Sequence, residues 1–144
     1  MRNYVTASSL YALALLFLMA CSGIPISYYD ATTYQQLTSL KAETTTLVES
    51  FDKKPYADNE SKIEATTLSF KKAYEYEKGK GMPNSETATQ FEKILGMYND
   101  DVDDYKEHGP GNLGSKYFSE AAVVLGQAFD IAIATENSKN KDKR

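Results

Sequence analysis

From residue 30 to residue 137, apolar side chains recur at steps of three and four in four separate stretches, the spacing that lays one apolar stripe along a helix. The first opens near Asp30 and aligns Tyr34, Leu37, Leu40, Thr44, Leu47 and Phe51. Thr32 with Gln35 has capping-box spacing there, and Pro55 stops the stretch. For the second, Asp58 and the pair Ser61 and Glu64 offer competing caps. Its stripe reads Ile63, Thr67, Phe70 and Tyr74, and it ends in Lys78, Gly79, Lys80 and Gly81 before Pro83 forbids continuation. Asn84, Ser85 and the pair Thr87 and Gln90 open the third, which turns Phe91, Ile94, Leu95, Tyr98, Val102 and Tyr105 inward and closes at Gly109, Pro110 and Gly111. The fourth, from about Ser115 to Asn137, is the most apolar. Its stripe includes Phe118, Ala121, Val124, Leu125, Phe129 and Ile131 and is wide enough to predict the most buried helix of the four. Inward threonines at 44 and 67 either bond backbone carbonyls or line a small cavity. No alternating strand pattern competes. Short turns between helices of about 22 residues, each roughly 33 Å long, predict an all-α fold, an up-down-up-down four-helix bundle.

The segment ahead of the first stripe is patterned differently. Arg2 is its only charge, and an unbroken apolar run of 11 residues follows from Leu10 to Ala20. That is well short of the roughly 20 residues that cross a bilayer as a helix, so residues 1–20 read as a cleaved signal peptide. At its end Leu18, Met19, Ala20 and Cys21 resemble the lipobox of bacterial lipoproteins: a branched apolar residue three before the cysteine, a small residue just before it, and the chain's only cysteine. The resemblance implies a diacylglycerol thioether on Cys21, cleavage before it and acylation of the new amino terminus, a palmitate-type anchor. At about 0.8 kcal/mol per buried methylene, several acyl chains hold a membrane permanently. Among such lipoproteins, aspartate after the cysteine commonly retains the protein at the inner membrane. Here that residue is Ser22, which implies the periplasmic face of the outer membrane. Residues 21–29 then form a lipidated linker, residues 30–137 the bundle, and residues 138–144 a mobile basic tail. Fully extended, Ser22 to Tyr29 reach at most about 28 Å, which keeps the bundle close to lipid.

Composition narrows the chemistry. Without Arg2 the chain holds 15 basic and 20 acidic residues, a net charge of −5 that argues against nucleic-acid binding. One cysteine permits neither a disulfide within the domain nor a cysteine-rich metal site. His108, the single histidine, shares a helical face with Asp101 and Asp104, but a di-iron bundle wants two Glu-x-x-His motifs. The acidic run also lacks the central glycine and late glutamate of an EF-hand. Covalent haem needs Cys-x-x-Cys-His, which is absent; Met97 or Met82 with His108 is a formal noncovalent pair, against the plainer reading of methionines as core filler. There is no Gly-x-Ser-x-Gly elbow and no phosphate-binding glycine loop. The expectation is therefore no metal, no cofactor and no enzymatic activity.

Two charge clusters remain. Asp100, Asp101, Asp103, Asp104 and Glu107 crowd the last turns of the third helix, where they oppose the helix dipole and one another. The plain reading is a solvated acidic face, and the functional one is a surface for a basic partner. Lys78, Lys80, Lys139, Lys141, Lys143 and Arg144 fall, in an up-down bundle, at the end that carries the anchor, where they suit anionic lipid headgroups. Of the tyrosines, Tyr34, Tyr74, Tyr98 and Tyr105 lie on stripes and read as core, whereas Tyr28, Tyr29, Tyr56 and Tyr76 lie off them and read as recognition candidates.

These patterns predict a membrane-anchored bacterial lipoprotein whose noncatalytic helical domain binds another envelope protein, as an adaptor, assembly factor or inhibitor. Small outer-membrane lipoproteins called pilotins, some of them helical bundles, escort secretion channels in this way, and the chain is similar to them in size and anchoring alone. The alternative is a small-ligand or metal-binding helical bundle in the periplasm.

Overall fold

Residues spaced alternately four and three apart make up most of what each helix buries. The computed structural model describes residues 27–141, which are all-helical: α1 (Ala31–Glu49), α2 (Tyr56–Gly79), α3 (Ser85–His108) and α4 (Tyr117–Ser138), with single 3-10 turns at Ser50–Asp52 and Met82–Asn84. The lipobox-like Leu18 to Cys21, the leader before it, Lys143 and Arg144 lie outside the described residues. In α1 and the turn after it, Thr33, Leu37, Leu40, Thr44, Leu47 and Phe51 are enclosed. In α2 they are Asn59, Ile63, Thr66, Phe70, Ala73 and Glu77; in α4, Phe118, Ala122, Leu125, Phe129, Ala132 and Glu136. α3 contributes Thr87, Phe91, Ile94, Tyr98 and Tyr105. That is the heptad alternation of helices packed side by side.

The side chains meet level by level. Phe70 of α2 stacks on Tyr98 of α3 at 5.4 Å and on Phe129 of α4 at 5.8 Å between ring centres. Toward one end Phe51 lies parallel to Tyr105 at 4.0 Å and edge-on to Phe118 at 5.4 Å. Tyr105 Oη accepts from Asn59 Nδ2 at 3.1 Å and donates to the Lys54 carbonyl at 2.6 Å, so the enclosed Asn59 has a partner. α1 packs most extensively on α4 and α2 on α3, with lesser seams between α3 and α4 and between α1 and α2.

The heptad face is narrower than the apolar stripes, and several expectations move with it. Thr33 is enclosed where Tyr34 was expected, and Tyr34 is exposed; Thr66 takes the place of Thr67, whose hydroxyl donates to the Ile63 carbonyl at 2.8 Å. Thr44 Oγ1 is buried without a hydrogen-bond partner among the described residues. α4 is not sheathed as its apolar composition predicts: Val123, Val124 and Ile131 remain 58 %, 51 % and 64 % exposed. By length and composition alone α4 passes for a membrane span, yet Phe118, Leu125 and Phe129 are enclosed by its neighbours.

Helix ends also differ from the local signals. Asp30, two residues ahead of the expected capping box, caps α1 by accepting the Thr32 amide at 2.8 Å. α2 begins directly after Pro55, an extended N-cap residue with no capping bond, so Asp58 and Ser61, expected as caps, lie inside the helix. α3 stops at Gly109, with φ of 71°, a left-handed conformation that glycine adopts without strain. α4 takes its cap from a distant residue: Asp52 accepts the Ser119 amide at 2.9 Å, its hydroxyl at 2.7 Å and the Phe118 amide at 3.3 Å.

Candidate functional site

At one end the alternation finishes in polar residues. Thr33, Glu77, Thr87 and Glu136, one from each helix, occupy interior positions where α1 and α3 begin and α2 and α4 finish, and all are fully buried. A buried carboxylate demands a counter-charge. Each glutamate has a lysine three residues on, placed where the helix C-terminus also favours a cation. Lys80 Nζ lies 2.6 Å from Glu77 Oε1 and 2.7 Å from Asp30 Oδ2, and Lys139 Nζ lies 2.6 Å from Glu136 Oε2. Thr33 Oγ1 donates to Glu77 Oε1 and accepts from Lys80. Burial pushes the Asp30 carboxyl up, but hydrogen bonds from Lys80 and Tyr76 outweigh it and hold the group well below the usual carboxylate range. Burial likewise pushes Lys80 down, and its bonds to Asp30 and Glu77 carry it above its ordinary value.

The segment ahead of α1 is fastened into this polar level. Glu136 Oε1 accepts the Asp30 amide at 2.6 Å, Tyr29 N donates to the Asn140 carbonyl at 2.9 Å, and Asn140 N donates to the Ser27 carbonyl at 3.2 Å. Asn84 Oδ1 accepts from both Ser27 Oγ and Lys139 Nζ, and Lys141 Nζ lies 5.3 Å from the centre of the Tyr29 ring. Lys139 to Lys141, expected to begin a mobile tail, are therefore held against the entry segment. Lys78, Lys80, Lys139 and Lys141 do gather at this end, but not as a free basic surface. The Lys80 and Lys139 side chains are only 17 % and 7 % exposed, because the buried glutamates require them; Lys78 is exposed and faces Glu75 at 4.0 Å.

The acidic run lies toward the opposite end of α3. Asp100, Asp103 and Glu107 are exposed, while Asp101 and Asp104 are half-buried, and Tyr117 Oη donates to Asp104 Oδ2 at 2.6 Å. Burial, then the charges of Asp104 and Asp100, push the Asp101 carboxyl up to about 6. His108 is half-buried at the last position of α3. Among the described residues no three His, Cys, Asp or Glu side chains converge to hold a metal ion. Met82 precedes α3 and His108 ends it, so these two cannot ligate one haem iron.

Three surface grooves bear on the reading, two of them beside these clusters. One of about 750 Å³ at the polar end is lined by Tyr28, Tyr29 and Tyr76 beside the paired Asp30 and Lys80, which unites three of the tyrosines expected to serve recognition. Tyr56, the fourth, packs on Tyr105 at 5.6 Å. A second, about 520 Å³ between α1 and α2, has a rim of mixed sign, with Glu43 against Lys54 and Lys62. The third, about 370 Å³ between α3 and α4, sets Met97, Ala121 and Val124 beneath Asp100, Asp101 and Glu120, and no basic residue lines it.

Glu77 and Glu136 are the residues the apolar pattern misses. Their signal is a repeated Glu-x-x-Lys at the ends of the second and fourth helices, Glu77 with Lys80 and Glu136 with Lys139. The chain matches no protein-family model, no curated protein and no solved structure.

Proposed function

We propose that the protein is a lipid-anchored lipoprotein of the bacterial envelope, an up-down-up-down four-helix bundle behind a cleaved signal peptide, which binds another envelope protein and catalyses no reaction. One observation carries this reading: the segment nearest Cys21 is fastened at one end of the helices, and the acid-rimmed groove lies toward the other. Ser27 follows Cys21 by six positions, so with Ser27 to Asp30 fastened a lipid on Cys21 lies at most about 22 Å of chain from the fastened end. Asp100 follows Ser85, the first residue of α3, by 15 positions, which sets the acidic groove about 22 Å along the helix from the fastened end. Ser22 favours the periplasmic face of the outer membrane. A fixed surface presented away from one membrane suits an adaptor, an assembly factor or an inhibitor.

In-cell photo-crosslinking tests it. A probe at position 100 is expected to give one reproducible adduct with an envelope protein, and a probe at position 43, on the mixed-sign groove, to give none. Loss of the position-100 adduct into a smear of unrelated proteins, or its replacement by lipid adducts, contradicts the proposal.

A further inference from the structure

The most apolar helix leaves a row of side chains uncovered beside the groove whose rim has one sign. Val124 and Ile131, 51 % and 64 % exposed, are seven residues apart and so share one side of α4. Between α3 and α4 the seam starts at Met97, Ala121 and Val124 and reaches the hydrogen bond from Gln90 Nε2 to Thr135 Oγ1, one turn beyond Ile131. A valine exposed singly calls for no explanation, but a row along a seam between two helices is the shape into which a third helix packs.

We propose that the seam between α3 and α4 is the docking groove for a short amphipathic helix of the partner protein, with apolar residues at three- and four-residue spacing on Met97, Val124 and Ile131 and with lysines or arginines against Asp100, Asp101 and Glu120. The inference rests on the proposed protein-binding role and names its surface and the chemistry of its occupant. Charge complementarity selects that occupant. None of the three rim carboxylates takes part in an ion pair among the described residues, and the seam supplies them with no cation. Asp101 holds its charge against burial and two neighbouring carboxylates, and a basic side chain set beside it relieves both. An anionic lipid surface meets repulsion here, and a second copy docking through the same seam sets carboxylate against carboxylate. The groove between α1 and α2 does not fit the same helix, because Lys54 and Lys62 oppose its charge. Helix-in-groove recognition of this kind uses anchors at three, four and seven residues, the distance that separates Val124 from Ile131.

The test is fluorescence anisotropy of a labelled peptide, 15 residues with leucines at helical spacing and lysines flanking them, against the full chain in detergent. A scrambled peptide of the same composition is the control for charge alone. The ordered peptide is expected to bind at least about tenfold tighter than the scrambled one. Asp100→Asn with Asp101→Asn, and separately Val124→Ser, each weaken it by about tenfold or more, whereas Glu43→Gln with Glu60→Gln, the same loss of charge elsewhere, changes it less than about twofold. Circular dichroism confirms that each variant folds. Equal binding of both peptides, or equal effects of the two charge-neutralising pairs, overturns the groove; if the position-100 crosslink still captures one envelope protein, the binding function survives without it, and if not, both fall. Self-association of the chain that competes with the peptide and is abolished by Val124→Ser also overturns the proposal by assigning the seam to a second copy.

Discussion

Glu136 joins three parts of the chain, since it accepts the Asp30 amide, pairs with Lys139 and is wholly enclosed at the end of α4. Removing either member of such a pair strands a buried charge, while removing both does not. In urea titrations Glu136→Ala is expected to lower the unfolding free energy by about 3 to 5 kcal/mol, and Glu136→Leu combined with Lys139→Met by far less than the sum of the two single changes. Simple additivity would show that the two side chains do not act as a pair. Asp101 works in the opposite sense. Its carboxyl titrates at about 6 in the folded protein against an ordinary value of 3.8, so the native state binds that proton more tightly than the unfolded chain. Stability from this group is greatest at low pH, falls as the pH rises between those two values, and stays lower above them. Asp101→Asn is therefore expected to stabilise the protein at about pH 7.5, by about 1 to 2 kcal/mol after discounting for solvent, and to confer nothing below about pH 4. Thermal melts at both pH values check it, and a gain that persists in acid contradicts the cause assigned.

At the scale of the element, α4 shows what local sequence does and does not encode. Its existence follows from apolar spacing, and so does that of the other three helices. Its start does not: Lys116, at the N-cap position, makes no side-chain bond, and Asp52, delivered by the turn after α1, caps the helix instead. Asp52→Ala should cost about 1 to 2 kcal/mol, read by chemical denaturation, and should increase amide exchange first at Phe118 and Ser119. If exchange rises equally along all four helices, the cap is not local. The inward faces were legible mainly where they are apolar, with Thr44 the polar position the first stripe also placed inside. Thr33, Asn59, Glu77 and Glu136 hold heptad positions because hydrogen bonds from other parts of the chain, and for the glutamates a lysine three residues on, reach them there, and a pattern scored on hydropathy passes them over. The same scoring places Val124 and Ile131 inside, since hydropathy does not separate a side chain that is buried from one left open for a partner.

For the whole molecule, alternating helix directions collect the entry segment, the two Glu-x-x-Lys pairs and Asn84 at one end, and the Phe51, Tyr105 and Phe118 cluster with the neighbouring acids at the other. The gathering of lysines at the first end was legible from chain order. Their engagement with buried glutamates was not, because it depends on which interior level each glutamate occupies. Replacing Cys21 with serine should abolish palmitate labelling and release the protein from membranes while its helical circular dichroism stays unchanged, since the polar level closes without the lipid; an unfolded product would contradict that independence. Orientation is the claim on which both proposals depend. With the Cys21 thiol consumed by the proposed lipid, a single fluorophore can be placed through Tyr28→Cys or Asp100→Cys in lipidated protein on vesicles that carry a headgroup quencher. Strong quenching from position 28 and none above background from position 100 is the expected result, and equal quenching at the two positions, or stronger quenching at 100, would contradict it.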